Sequence, residues 1–282
     1  MSQPMRGALW MCGAVLSFAA MAVAVRELQR HMGSFEILFM RSVVMLAIVC
    51  VMLPGAGLAA VRTRRFGTHL SRSLLHISGQ YLWVYSIGML TLATVFAIEF
   101  TMPIWAALLA AIFLGERLTG PRLVQLALGL AGVLIILRPG VGAFHPAALA
   151  ALACSFLYAT TMIYTKRLSA TESPLAVLLW MSLVQAPITL VAAVPHWVAP
   201  VPADLPWILG IGIGSFTAHY CMTRAMHLVD ATVAVPIDFI RLPLIAVIGA
   251  LLYSEPFDPL VIVGASVIFA GTYYSLHREG RR

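Results

Sequence analysis

The sequence predicts an all-α integral membrane protein with ten transmembrane helices, arranged as two inverted five-helix repeats. Composition is the first observation behind this fold class. Apolar residues make up 61% of the 282 residues and charged residues only 10%, too few charges to cover a water-soluble domain. The second observation is that one set of short sequence signals occurs twice along the chain. Five spans in each copy place the second copy upside down relative to the first, an arrangement that puts a binding site near the bilayer midplane.

The repeated signals are residue pairs set at matching intervals in apolar segments. Glu99-Phe100, Gly115-Glu116 and Ala131-Gly132 recur as Asp238-Phe239, Ser254-Glu255 and Ala270-Gly271. The equal spacing of the three pairs in both copies indicates a duplicated unit. We therefore predict a first repeat over residues 1–140 and a second, inverted repeat over residues 141–282.

Hydropathy predicts ten spans, each close to the ~20 residues with which a helix crosses a ~30 Å hydrocarbon core. In chain order the spans are 7–25, 35–53, 70–89, 93–114, 121–138, 146–164, 175–194, 206–226, 231–252 and 258–276. The first segment is interpreted as a span and not as a cleaved signal peptide, because its Ser17-Phe18 pair recurs as Ser155-Phe156 in the sixth span. The connecting loops are too short to hold a soluble domain.

The distribution of Lys and Arg predicts that both termini are cytoplasmic. With the N-terminus inside, the cytoplasmic face receives Arg6, Arg62, Arg64, Arg65, Arg72, Arg117, Arg122, Lys166, Arg167, Arg224, Arg278, Arg281 and Arg282. Only Arg26, Arg30 and Arg138 fall on the other face. Such an excess marks the inner side of a membrane and attracts anionic lipid, so the net charge of +7 does not indicate nucleic-acid binding. The predicted location is a bacterial-type inner membrane.

The sequence carries no signal for catalysis or for a cofactor. The four cysteines, Cys12, Cys50, Cys154 and Cys221, lie in predicted spans without the Cys or His spacing of a metal site. Phosphate-binding loops, metalloprotease motifs and nucleophile motifs are also missing. We therefore predict that the protein is not an enzyme and holds no metal or cofactor.

Four charged residues, Arg41, Glu99, Asp238 and Arg241, lie well inside predicted spans, away from the span ends. A charge in the hydrocarbon is costly and normally faces a partner or a water-filled cavity. Glu99 and Arg41 both enter from the outer side to a depth of ~9 Å, so they are predicted to form one pair. Asp238 and Arg241 are predicted to form the other, because their i,i+3 spacing places them on one helix face. Two roles remain open: gates that exchange a proton or bind a substrate amine, or permanent struts.

Two prolines lie deep in equivalent spans. Pro103 in the fourth span and Pro243 in the ninth are each ~15 Å from the end at which their helix enters the membrane. Each proline removes an amide donor, frees the carbonyl four residues earlier and bends the helix. These prolines are interpreted either as hinges or as static bends beside a cavity.

Polar and aromatic residues in the spans are candidates for a substrate chamber. His76, Gln80 and Trp83 share one face of the third span, and its counterpart, the eighth span, holds His219 and Tyr220. An apolar chamber with a few polar points is the usual form of a small-molecule site. The predicted substrate-binding residues are Phe18, His76, Gln80, Trp83, Phe96, Glu99, Tyr158, His219, Tyr220 and Asp238.

Motifs in the second, fourth and fifth spans carry a family resemblance. The second span begins with Phe35-Glu36-Ile37-Leu38-Phe39-Met40-Arg41, and the fourth has Pro103 followed by Leu114-Gly115-Glu116-Arg117 and then Gly132. Together with the duplicated ten-span layout, these residues resemble the EamA-type members of the drug/metabolite transporter superfamily. The resemblance covers nearly the whole chain and implies transport of small organic solutes across an inner membrane. Members of that family include exporters of amino acids, among them an aromatic amino acid exporter.

The first functional hypothesis is export of a small zwitterionic or aromatic metabolite, an amino acid above all, by alternating access between the repeats. The alternative is import of a nucleoside-like, vitamin-like or sulfonium metabolite. A membrane enzyme acting on lipid and a passive channel fit less well, because the loops hold only scattered acidic residues and the spans form no continuous polar stripe. The expected partners are a small-molecule substrate, the lipid bilayer and a proton, and the expected state is a monomer or weak dimer.

Overall fold

The protein is all-helical in the ranges that the computed structural model describes, which are residues 3–114, 119–138, 145–169, 171–229 and 231–279. Twelve α-helices lie in these ranges: α1 (Gln3–Leu28), α2 (Ser34–Ala56), α3 (Phe66–Met89), α4 (Leu92–Glu99), α5 (Met102–Leu114), α6 (Gly120–Leu137), α7 (Pro146–Ser169), α8 (Pro174–Ala193), α9 (Leu205–Leu228), α10 (Ala231–Phe239), α11 (Arg241–Tyr253) and α12 (Pro259–Glu279). Short 3₁₀ turns occupy Leu58–Val61, Val194–His196 and Pro202–Asp204. The residues named above that lie outside the described ranges are Gly115, Glu116, Arg117, Arg281 and Arg282.

These helices form the ten predicted membrane spans. Eight helical stretches in the described residues are long and apolar enough to cross a membrane. The other two spans are α3 and α9, each of 24 residues, a length that reaches across the hydrocarbon core. Apolar side chains such as Val51 and Leu251 are 80% and 77% exposed on the outside of the bundle. Such a surface suits lipid, and the protein is a multi-pass membrane protein.

The fourth and ninth spans are each broken into two helices beside a proline. Glu99 and Phe239 are the last residues of α4 and α10. Pro103 and Pro243 follow them by four positions, in the first turn of α5 and of α11. Because proline has no amide hydrogen, it cannot donate to the carbonyl four residues earlier, and regular helical bonding stops there. The breaks agree with the predicted bends, while a hinge role for either proline stays a prediction.

Equivalent helices of the two repeats pack side by side in opposite directions. The fifth helices, α6 and α12, cross where Gly132 faces Gly264 and, further along, where Gln125 faces Gly271. Because the residue numbers run in opposite directions along this contact, the second copy is inverted relative to the first. Two further large contacts are related to each other by the repeat. The first helix of the first repeat, α1, packs against the third of the second repeat, α9, and α3 packs against α7 in the same way with the repeats interchanged.

The short helix α4 lies at the centre of the bundle. The fully buried residues of α4 are Leu92, Val95, Phe96, Ala97 and Ile98. Thr91 caps the start of α4, since its side chain accepts a hydrogen bond from the amide of Thr94. α4 packs against α7, α11 and α12. The carboxylate of Glu99 at its end is thereby held in the interior of the protein.

Candidate substrate site

A buried ionic cluster lies where α4, α10 and α11 meet. We name it the carboxylate site; its residues are Glu99, Asp238 and Arg241. Arg241 Nη2 lies 3.5 Å from Glu99 Oε1 and 3.3 Å from Asp238 Oδ2. Trp83 of α3 donates a hydrogen bond from Nε1 to Glu99 Oε2 at 2.8 Å. The predicted contact of Asp238 with Arg241 is therefore present, and the same arginine also reaches the carboxylate of the other repeat.

The carboxylate site holds two acidic groups and one basic group. Arg241 is only 4% exposed, and its Nε is buried with no hydrogen-bond partner in the described part of the chain. Asp238 Oδ1 is likewise buried and unpartnered among those residues. When all three groups are ionised they leave one excess negative charge, which is costly in a low-dielectric interior. The site therefore suits a positive charge from a ligand or a proton.

Aromatic rings enclose the guanidinium of Arg241. Its Cζ lies 4.7 Å from the ring centroid of Phe18 and 5.0 Å from those of Phe96 and Phe100, within the range of cation–π contact. Phe239 stacks on Phe100 with ring centroids 4.0 Å apart. The predicted site residues did not include Phe100 or Phe239. Both belong to the repeated Glu-Phe and Asp-Phe pairs, and that repetition is the signal that identifies them.

The predicted pair of Glu99 with Arg41 is wrong. Arg41 Nη2 donates instead to Gln185 Oε1 at 2.6 Å, and its Nη1 donates to Ser215 Oγ at 3.2 Å. Glu99 and Arg41 were paired because their depths match, but depth alone does not determine which helices are neighbours. α2 packs against α8 and α9, whereas α4 packs against α7, α11 and α12. Glu99 therefore meets an arginine of the other repeat.

A second polar cluster lies between α2, α3, α8 and α9. We name it the arginine site; its residues are Arg41, Arg72, His76, Gln185 and Ser215. Gln185 is central to it, because its Oε1 accepts from Arg41 and its Nε2 lies 3.1 Å from His76 Nδ1. Arg72 Nε donates to Thr165 Oγ1 of α7 at 2.7 Å. Both guanidiniums thus have neutral hydrogen-bond partners.

His219 connects the two sites. Its ring centroid lies 5.8 Å from that of Phe18 in the aromatic enclosure and 6.1 Å from that of His76 in the arginine site. Tyr158 of α7 also borders the arginine site, with its ring centroid 5.7 Å from that of His76. A ligand that contacts His219 therefore has an acidic cluster on one side and a basic cluster on the other.

Two predicted residues stand apart from these contacts. Gln80 is 4% exposed, and its Oε1 has no hydrogen-bond partner among the described residues. Tyr220 is 39% exposed, and its ring packs against Trp10, with centroids 5.8 Å apart. In the described ranges, no three His, Cys, Asp or Glu side chains are grouped as a metal site requires. The predicted residues that the structure brings to the carboxylate site are Phe18, Trp83, Phe96, Glu99, Asp238 and Arg241.

Comparison with known proteins identifies transporters as relatives over the whole chain. The chain is 28% identical to a riboflavin transporter of Vibrio cholerae over 99% of its own length and 95% of the relative. It is 26% identical to an S-adenosylmethionine uptake transporter of Rickettsia bellii over 96% of its length and 93% of the relative. A pseudopaline exporter of Pseudomonas aeruginosa is 28% identical over 90% of each chain.

The fold is also known from a crystal structure. That structure superposes with a TM-score of 0.70 over 98% of both chains at 17% identity, a likeness of fold alone. The family model described as EamA-like transporter family matches residues 5–138 and 145–276. The names of the relatives agree with the prediction that the protein is a transporter and not an enzyme. The chain belongs to the EamA-like transporter family.

Proposed function

We propose that this protein is a secondary transporter that carries a small zwitterionic metabolite with an aromatic ring, by alternating access between its two repeats. The observation that carries the proposal is the carboxylate site, where two carboxylates share one guanidinium inside an aromatic enclosure. A substrate ammonium or sulfonium group would balance the excess negative charge. The aromatic part of the substrate would pack on the phenylalanine rings, which favour both cations and rings.

S-adenosylmethionine is the first compound to test. It carries an ammonium, a sulfonium and an adenine ring, and a relative 26% identical to this chain is named for its uptake. Aromatic amino acids, whose export the sequence predicts, share the ammonium and the ring and come second. Riboflavin, for which a 28% identical relative is named, is uncharged at neutral pH and would leave the acidic excess unbalanced. It comes third.

The proposed cycle needs closing contacts at each end of the site. At the end that holds the α1–α2 loop, Glu255 accepts a hydrogen bond from the Leu92 amide at 2.8 Å and pairs with Arg26 at 2.7 Å. In this cycle these contacts close the outer end and break when it opens, with the termini on the cytoplasmic side. Pro103 and Pro243, at the breaks in the fourth and ninth spans, act as the hinges.

A proton is the proposed coupling ion. When no substrate is bound, a proton on Glu99 or Asp238 supplies the missing positive charge of the carboxylate site. The cluster lacks only one positive charge, so a proton and a substrate cation compete for it. An imposed pH gradient is therefore expected to change the transport rate.

Transport in proteoliposomes tests the proposal. Wild type, Glu99→Gln and Asp238→Asn are compared for movement of labelled S-adenosylmethionine, phenylalanine and riboflavin, with and without a pH gradient. We expect saturable movement of one zwitterion and a loss of at least about tenfold in both variants, equivalent to one charge-assisted contact. Asp258→Asn is the matched control, because it removes a carboxylate that pairs with Arg138 away from the site.

Each outcome bears on a different part of the proposal. Movement of none of the three compounds above the rate of empty vesicles contradicts the proposed substrate class. Movement that neither Glu99→Gln nor Asp238→Asn changes makes these carboxylates structural. Movement of phenylalanine alone selects the amino acid hypothesis over uptake of S-adenosylmethionine.

A further inference from the structure

The arginine site holds two guanidiniums inside the helical bundle, that of Arg41 on α2 and that of Arg72 near the start of α3. Arg41 is 1% exposed and Arg72 is 4% exposed. Arg41 donates to Gln185 and Ser215, and Arg72 donates to Thr165, all through neutral oxygens. Among the described residues, no carboxylate lies within 4.0 Å of either guanidinium. Glu172, close in sequence to the end of α7, pairs instead with His69 at 3.7 Å.

The arginines that have carboxylate partners show how unusual this is. Arg26 pairs with Glu255, Arg138 with Asp258, and Arg241 with two carboxylates. A guanidinium taken out of water without a counter-charge is strongly disfavoured, and hydrogen bonds to neutral groups recover only part of that cost. Gln185 places Arg72 beside Arg41, because it accepts from Arg41 and donates from Nε2 to the backbone oxygen of Ser73, the residue after Arg72, at 3.1 Å. The arginine site is therefore incomplete without an anion.

Unused hydrogen-bond donors remain at the arginine site. Arg41 Nε and Arg72 Nη1 are both buried and have no hydrogen-bond partner in the part of the chain that the structure describes. The hydroxyl of Ser73, on the turn between Arg72 and His76, is also buried and unpartnered there. N–H groups of guanidinium and a free hydroxyl are the donors that bind small anions in proteins.

We propose that the arginine site binds a monovalent anion between Arg41 and Arg72. Two sources can supply it: the carboxylate of the transported zwitterion, or chloride from solution. The first source rests on the proposed function, and His219 then marks the path between the two ends of the substrate, since it contacts Phe18 on one side and His76 on the other. The second source makes chloride a fixed partner of the transporter.

Anion-dependent thermal stability tests the site without any assumption about the substrate. The purified protein in lipid nanodiscs is heated in buffers with increasing sodium chloride or sodium acetate, because a ligand of the folded state raises the unfolding temperature. Wild type is expected to show a saturable rise. In Arg41→Gln and Arg72→Gln the half-saturating concentration is expected to increase by about tenfold or more, the loss of one charge-assisted contact.

The matched control is Arg62→Gln, which removes an arginine on the exposed loop after α2. This variant reports the general effect of salt and is expected to behave as wild type. Equal, unsaturable responses of all four proteins would overturn the proposal. Should one of the two site variants fail to fold, the other still decides it, and so does the titration of the wild type.

Transport of an analogue without a carboxylate separates the two sources. With the substrate carboxylate at the site, decarboxylated S-adenosylmethionine binds about tenfold more weakly than S-adenosylmethionine in wild type, and the difference vanishes in Arg41→Gln. With chloride at the site, transport of both compounds requires chloride. Absence of S-adenosylmethionine transport would refute that substrate while leaving the anion-dependent stability intact.

Discussion

The carboxylate site and the arginine site differ in their relation to the repeat. Glu99 and Asp238 are the acidic members of a repeated residue pair, so each repeat supplies one carboxylate. Arg41 has no such counterpart. The burial pattern of α2 recurs in α8, where the fully buried Met181 occupies the position equivalent to Arg41. The serine after Arg41 and the serine after Met181 each donate a hydrogen bond to the carbonyl four residues earlier.

This difference indicates separate roles for the two sites in the proposed cycle, one in alternating access and one in substrate binding. In the proposed cycle the two repeats exchange conformations, so a carboxylate supplied by each repeat can serve the site in either state. A guanidinium supplied by one repeat alone instead gives the site a fixed direction, negative at one part and positive at the other. In the proposed cycle, the symmetric carboxylates therefore provide alternating access, and the unsymmetric Arg41 selects the substrate.

The largest effect is expected when the single positive charge of the carboxylate site is removed. Arg241→Met leaves Glu99 and Asp238 facing each other without a cation, and breaking a buried ion cluster in this way costs about 3–5 kcal/mol. Arg41→Met copies Met181 of the other repeat and removes an arginine without a carboxylate partner. We expect it to change the free energy of unfolding by no more than about 1 kcal/mol, since lost hydrogen bonds offset relieved desolvation.

Unfolding of both variants in SDS measures this contrast. Arg241→Met combined with Glu99→Gln is the control, because removal of one carboxylate is expected to restore part of the lost stability. Similar losses in Arg241→Met and Arg41→Met would show that the two arginines are equally well compensated, which contradicts the comparison between the sites.

A second comparison concerns the two repeat-related crossings of α6 and α12. A Cβ atom at Gly132 would lie 2.5 Å from the backbone oxygen of Gly264, whereas one at Gly271 would meet the Leu128 side chain at 2.9 Å. The Leu128 atom is its Cβ, which moves only with its helix, so both substitutions push the helices apart; the shorter approach at Gly132 makes Gly132→Ala the costlier one, at about 2–3 kcal/mol, and Gly271→Ala is expected to cost less. Gly67→Ala, which meets nothing within 4 Å, is the control for thermal unfolding.

Much of the fold could be predicted from the sequence, because lipid imposes simple rules. Span length, the doubled Glu-Phe and Asp-Phe pairs and the prolines each follow from local chemistry, and the structure agrees with them. The breaks after Glu99 and Phe239 are a direct result of the missing amide at Pro103 and Pro243. These features need no knowledge of which helices touch.

Helix neighbours are what the sequence could not supply. Arg41 and Glu99 have matching depths but stand on helices that do not share their main contacts, so a depth argument paired them incorrectly. The partner of Arg41 is Gln185 of α8. Gln185 is an uncharged residue in an apolar span, so the search for charged residues inside spans did not find it. Phe100 was missed because an apolar ring in an apolar predicted span stands out only through the repeat.

A third, smaller contrast is expected between two ion pairs at one end of the bundle. Glu255 is 8% exposed and binds both Arg26 and the Leu92 amide, whereas Asp258 is 39% exposed in its pair with Arg138. Glu255→Gln loses the charge and keeps only one of the two hydrogen bonds, because its amide nitrogen cannot accept, for an expected cost on the order of 1 kcal/mol. Asp258→Asn should cost about 0.5 kcal/mol or less, because water screens an exposed pair.

Transport adds a second measurement to this contrast. If Glu255 closes one end of the site, Glu255→Gln alters the transport rate while Asp258→Asn does not. Equal rates in the two variants would assign the Glu255 contacts to stability alone. Thermal unfolding of the same samples shows whether any rate change comes from loss of folded protein.

Two contacts between a histidine and a carboxylate lie at opposite ends of the bundle. The smallest effect on stability is expected at the one between His31 and Asp204. His31, after α1, contacts Asp204, before α9, at 3.0 Å; at the other end Glu172, after α7, contacts His69 of α3 at 3.7 Å. Since α1 and α7 are equivalent helices, as are α3 and α9, the histidine and the acid have exchanged places between the repeats.

The Val201 amide and then His31 donate hydrogen bonds that hold the pKa of Asp204 below its ordinary value of 3.8. A lowered folded pKa means that the contact stabilises the protein above pH 3.8 and that this contribution is lost as the pH falls through the lower folded value. Asp204→Asn should therefore lose less stability than wild type over that acidic range, as measured by thermal unfolding. His31→Gln keeps the larger contribution, from Val201, and should resemble wild type. Equal acid slopes in wild type and Asp204→Asn would contradict this assignment and make the loop contact energetically silent, because only a group with different folded and unfolded pKa values changes stability with pH.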